Sequence, residues 1–164
     1  MKTVGIVAML GLAAGFAGPV LAQKAAPEGW LLQEQVMSGI NDLTLAWYAP
    51  GSGEVLVAIS CQGGYSDVVF TAYTDRPKAG TKAATTLALM SGAQHFAMEA
   101  ISGEMHGRYS VGGITSFQPK LTDLLKGSFT ILVDGVEIGR FSTTTAQKEF
   151  KRIIAACPPQ PARN

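Results

Sequence analysis

A mainly β (α+β) fold is what this sequence predicts: an antiparallel β-sandwich or strongly curved sheet, with a short helix near 119–126 and a C-terminal helix packed on it. Three observations carry that expectation. The segments EVLVAISC (54–61) and DVVFTAY (67–73) alternate large apolar residues with small or polar ones at period two, the signature of half-buried strands. Two further β-rich runs, SFTILV and VEIGRF, are joined by Asp134-Gly135, the pair suited to the positive φ angles of a tight hairpin turn. Near the end, Ala146, Phe150, Ile153, Ile154 and Cys157 recur at helical spacing while Lys148, Glu149, Lys151 and Arg152 point elsewhere.

The remaining elements follow in chain order. Residues 1–22 read as a cleaved secretory signal: Lys2 precedes an apolar run, Pro19 interrupts it, and Val20-Leu21-Ala22 forms the cleavage site. A membrane anchor is the rival reading of this uncharged stretch, but glycines and Pro19 dilute it and no basic stop follows. Residues 23–29 form a flexible leader, 30–157 a single β-rich domain and 158–164 a tail. Within the domain, Trp30, Leu32 and Val36 share a face interrupted by Glu34. Asn41-Asp42 marks a turn before the strand LTLAWY, which places Leu43, Leu45 and Trp47 on one side. KAATTLALM and AQHFAMEAI flank Ser91-Gly92. Alanine, methionine and glutamate there also suit a helix, yet Thr85, Thr86 and the central glycine favour a hairpin. Pro119 suits the first turn of a helix and Gly127 its C-terminal cap. Before the last helix, Thr144 and Gln147 fit a capping box, with neighbouring threonines as alternatives.

Signal removal leaves 142 residues, enough for one core, and lowers the basic count from 13 to 12 against 12 acidic residues. That neutrality argues against nucleic acid as a partner, because phosphate contacts require a basic excess. The basic cluster at 75–82, which contains Arg76, reads first as a solvated loop.

Cys61 closes the apolar face of a strand and Cys157 that of a helix, and one domain of this size has one core for both to face. Two cysteines in an exported chain are most simply a disulfide. A catalytic thiol would need exposure and a nearby base, and zinc would need a third and fourth ligand close by.

Candidate chemistry elsewhere is sparse. His95, Glu99, Glu104 and His106 are the one cluster that invites a metal or acid–base reading. On a strand, His95 and Glu99 would lie about 13 Å apart, too far for one ion, whereas on a helix they would be neighbours. The nucleophile elbow, S-x-x-K, H-E-x-x-H and C-x-x-C patterns are absent from the sequence. No catalytic residue and no cofactor is therefore assigned. Tyr65, Tyr73, Arg76 and Tyr109 lie at strand ends or in loops and are of the types enriched in binding hot spots; packing of strand aromatics is the plainer reading.

Two blocks, EVLVAISCQGGYSDVVFTAY and SFTILVDGVEIGRFSTTTAQKEFKRIIAAC, are together similar to small exported bacterial proteins of the type VI secretion-associated VasI-like kind. Those proteins end on a strand, a helix and a disulfide cysteine. The resemblance covers about a third of the mature chain and implies export, a β-rich fold and a disulfide between Cys61 and Cys157. The Pro119 helix and the central hairpin have no counterpart in that pattern. The absence of catalytic patterns, together with the architecture, leads to the expected function: an exported, periplasmic or secreted, non-enzymatic protein that binds another protein or an envelope component. A small-ligand-binding β module and a hydrolase with scattered catalytic residues are the alternatives.

Overall fold

Nine segments take up extended backbone: β1 (Gly29–Met37), β2 (Ile40–Tyr48), β3 (Val55–Gln62), β4 (Asp67–Thr74), β5 (Ala84–Ser91), β6 (Gln94–Met105), β7 (Arg108–Ser116), β8 (Ser128–Val133) and β9 (Val136–Ser142). Helix α1 (Pro119–Leu124) separates β7 from β8, and a 3-10 turn, Thr144–Ala146, leads into α2 (Gln147–Ala156). The computed structural model describes residues 28–74, 84–105 and 107–158, without the side chains of Met37 and Ala84. The signal region, most of the leader, the basic loop with Arg76, His106 and the tail from 159 lie outside the described residues.

The strands form one antiparallel sheet in the order β1-β2-β3-β4-β7-β6-β5-β8-β9, curled into a half-barrel. Of the two architectures expected, the strongly curved sheet is the one observed. The curl is produced by β6, whose twelve residues serve two neighbours in succession. Gln94–Ile101 pair with β5, and Ala100–Met105 pair with β7. Strand β6 therefore leaves β7 just where it joins β5, and the sheet turns a corner.

Alternation fills the inner face. Leu43 and Leu45, Val57 and Ile59, Val68 and Phe70, Leu87 and Leu89, Phe129 and Ile131 are all buried there. Helix α2 covers this face with Phe150 and Ile153, and α1 adds Leu121 and Leu124. Trp30 closes the half-barrel. Its ring lies 5.0 Å from Phe150 and 5.5 Å from Trp47, centroid to centroid, and 6.3 Å from Phe129 and Phe141. Its indole Nε1–H donates to the Ser142 carbonyl at 2.8 Å, so a residue of the first edge strand is bonded to the last.

The two hairpins read from the sequence are present. Asp134 and Gly135 both take positive φ, 48° and 79°, as a type I′ turn requires. Asp134 does more than turn the chain: its Oδ1 accepts from the Thr86 backbone N–H at 2.9 Å, tying the hairpin tip to β5. The Ser91-Gly92 region is also a hairpin, β5 against β6, which excludes the helical reading over 84–101; residues 82 and 83 lie outside the described residues.

Several local expectations are corrected. The first turn is Ser38-Gly39, and Asn41-Asp42 lies inside β2; two consecutive positive φ angles favour the glycine-containing pair. Val36 stays exposed, because β1 runs beyond the core there. Glu34, which interrupts the apolar face, instead meets α2: Arg152 Nη2 donates to its Oε2 at 2.7 Å and Asn41 Nδ2 to its Oε1 at 2.6 Å. Gly127 is not a left-handed cap, since α1 ends through Leu125 in right-handed conformation. Thr144 does not cap α2, and its hydroxyl pairs with Ser142. The working threonine is Thr143, fully buried, which donates to Leu125 O at 2.7 Å and accepts from Gln147 Nε2 at 2.8 Å. Burial selects it: its neighbour's hydroxyl faces water and has less to lose.

Cys61 and Cys157 form a disulfide, with Cα atoms 6.2 Å apart and a sequence separation of 96. Both are buried, and the bond fastens the end of α2 to the end of β3. Closing a loop of about 100 residues constrains the unfolded chain by about 4.7 kcal/mol in the chain-entropy model. Replacing both cysteines by alanine is expected to lower unfolding free energy by about 2–5 kcal/mol in urea titration. A loss below roughly 0.5 kcal/mol would show that α2 is held by packing alone.

The bonds from Asn41 and then Arg152 hold the Glu34 carboxyl below its ordinary value of 4.5. A lowered folded-state value contributes stability above pH 4.5, which is lost as pH falls through that lowered value. Acidification below pH 4.5 should therefore destabilise the wild-type chain more than the Glu34→Gln variant, as read from paired denaturation midpoints.

Candidate functional site

The inside of the half-barrel is occupied by its own side chains. Phe70, Phe117, Phe129 and Phe150 are fully buried there, which leaves the outer face and the strand ends as open surface. Two grooves are found on that outer side.

The larger, of about 610 Å³, lies at the corner where β6 parts from β7. Its residues are placed by register. Ile101 faces Gly112 across β6 and β7, and Ile114 faces Val69 across β7 and β4. Gly112 contributes no wall, and the β6 pairing of β7 stops at Gly113, so Ile101 and Ile114 stand clear of their neighbours. They are 73% and 66% exposed, and with Val36 they are the three most exposed large apolar side chains among the described residues. Met105, 45% exposed, continues the apolar lining toward the β6–β7 turn, and Glu99 and Glu104 border it. A single exposed isoleucine is ordinary on a protein surface; a cluster around a glycine floor is not.

Close approach makes the corner. A Cβ on Gly113 would sit 2.6 Å from Met98 Cγ and 3.2 Å from Glu99 O, so only glycine lets β6 bend across β7 at this point.

Of the tyrosines singled out in the sequence, the structure brings none of the three together. Tyr65 is 55% exposed in the β3–β4 turn. Tyr73 lies at the other end of β4, on the outer face. Tyr109 is directed inward and packs against the core. Arg76 lies outside the described residues, but Tyr73 has a different arginine: the Arg108 guanidinium lies 5.6 Å from its ring centroid. Arg108 also donates to Val55 O at 2.7 Å and approaches Glu54 at 4.0 Å. Its role was hidden because β7 is inserted between β4 and β6, which no local pattern announces. The Tyr73 hydroxyl lies 3.4 Å from Met105 Sδ and connects this pair to the groove.

His95 and Glu99 occupy one strand, four residues apart, at a separation of about 13 Å along β6. Both are exposed, and His95 lines neither groove. Glu104 is likewise exposed on β6, and His106 lies outside the described residues. Among the described residues, no three histidines, cysteines or carboxylates gather as metal ligands, and no helix is long and apolar enough to cross a membrane.

The second groove, of about 510 Å³, lies at the far end of the outer face, where Tyr65 overhangs β1–β4. Its lining is mixed: Gln35, Asp42, Thr44, Ser60, Gln62 and Asp67 supply polar groups, and Leu43, Cys61, Tyr65 and Val69 supply apolar ones.

Comparison with protein-family models, with curated proteins and with solved structures finds no significant match to this chain.

Substituting Gly113 by alanine tests the corner. The new methyl must displace Met98 from its buried position, and overpacking of this kind costs about 1–3 kcal/mol. A compensating Met98→Ala change in the same chain should recover part of that loss in thermal denaturation.

Proposed function

We propose that this chain is an exported, periplasmic or secreted, non-enzymatic binding protein that engages a protein partner through the Ile101–Ile114 groove. The observation that carries the reading is the pairing of two strongly exposed isoleucines on a sheet whose inner face is already filled. Burying such side chains against a partner removes apolar surface from water at about 25 cal/mol per Å². Nearby, Tyr73 and Arg108 supply residue types that anchor interfaces. Glu99 and Glu104 favour a partner whose apolar ridge is flanked by basic residues.

Export is supported by the order of charge, apolar run and small residues over 1–22, and by the buried disulfide, which persists in oxidising compartments. The resemblance of the Cys61 and Cys157 blocks to VasI-like exported proteins points the same way. A small-ligand module that uses the barrel interior is disfavoured by the phenylalanines that fill it.

The test places a photo-crosslinking residue at position 101 of the chain expressed with residues 1–22. Expected are a product beginning at Gln23 and a discrete adduct at 101. The adduct should disappear in an Ile114→Asp variant and be absent when the crosslinker is placed at Val136, an exposed site on the β8–β9 hairpin. Equal labelling at 101 and 136 would refute the groove, and retention of the first 22 residues in the cytoplasm would refute export.

A further inference from the structure

The second groove supports an inference independent of the first. Register places a row of four polar side chains across four adjacent strands. Gln35 of β1 faces Asp42 of β2, and Asp42 faces Gln62 of β3. Asp67 of β4 follows, one step beyond the Cys61–Val68 pair. Amide and carboxylate thus alternate at the spacing of neighbouring strands, and three steps span about 14 Å.

None of these four side chains is engaged in a hydrogen bond or ion pair, among the described residues. The hydroxyls of the next pair on the same face, Thr44 and Ser60, are bonded to each other at 3.0 Å and make no bond to the row. Tyr65 is held over the row by the turn bond from its own N–H to Gln62 O, 3.0 Å. Its ring makes no stacking contact with the core aromatics and is 55% exposed.

We propose that this groove binds a neutral oligosaccharide. A sugar ring has an apolar C–H face that covers an exposed tyrosine ring, which offers apolar area with a polar tip. Its edge carries adjacent hydroxyls, each donor and acceptor. Carboxylates accept from them and amides both donate and accept, so an alternating row satisfies a chain of hydroxyls. Rival ligands fit less well. A single cation cannot bridge Asp42 and Asp67, which lie two strands apart at about 9–10 Å. A basic peptide would find only two carboxylates, separated by a neutral amide and thus too few and too far apart to pair a run of cations.

The disulfide-bonded protein is titrated, by amide-resolved NMR, with neutral tetrasaccharides of glucose, galactose, mannose and N-acetylglucosamine in turn, each to about 1 mM, and separately with tetralysine. At least one sugar should shift resonances in 62–67, with affinity unchanged between low salt and roughly 0.5 M salt. Tyr65→Ala and Asp42→Asn should each weaken binding at least about tenfold without moving the thermal midpoint. An Ile101→Asp/Ile114→Asp variant should leave the titration unchanged, which separates this site from the protein-binding groove. The inference is overturned if no tetrasaccharide shifts these residues, if the shifts lie elsewhere, or if tetralysine alone binds there with salt-sensitive affinity.

Discussion

A sheet curled onto its own inner face must close two edges and exclude water from the seam, and in this protein both demands meet at Trp30. Its ring stacks among Phe150, Trp47, Phe129 and Phe141, while its one polar atom is bonded to the Ser142 carbonyl. An indole suits such a position because it is apolar over most of its area and has a single donor to satisfy. The first strand is thereby held to the last, and α2 is held between them. On the other side, the Cys61–Cys157 bond fixes the end of the same helix. Three contacts of different chemistry, aromatic, covalent and ionic through Glu34–Arg152, converge on one ten-residue element.

That closure leaves the outer face as the open side of the sheet. Phenylalanines and branched aliphatics fill the interior, so the half-barrel holds core where a wider barrel would hold a ligand. The outer face then has two unlike regions. At the corner, the departure of β6 from β7 leaves Ile101 and Ile114 without neighbours tall enough to cover them. Across β1–β4, inter-strand register aligns Gln35, Asp42, Gln62 and Asp67 in a row.

Much of the fold was legible because it rests on local rules. Asp134-Gly135 specified its turn through the φ angles only such residues tolerate, and the alternations around Cys61 and Phe70 specified their inner faces. The mistakes have physical causes. Asn41-Asp42 has turn composition, but Ser38-Gly39 is where the backbone takes positive φ, and pairing with β3 holds Asn41-Asp42 extended. Thr143 and Thr144 are equivalent as sequence; only the approach of this segment to Leu125 and Gly127, just after α1, buries one of them and makes its hydrogen bonds count. Of the tyrosines, Tyr65 borders a groove and Tyr73 meets Arg108, whereas Tyr109 belongs to the core.

Sequence by itself determined the class of fold, the hairpins, the terminal helix and the faces on which both cysteines lie, because each depends on a period or turn spanning a few residues. Tertiary structure alone decided which strands became neighbours. Strand β7 lies between β4 and β6, and Gly113 permits β6 to cross to β5, so residues far apart in the chain share an outer face. The corner groove arises from that order. Side chains on different strands meet only through inter-strand register, a property of the assembled sheet that no single segment contains.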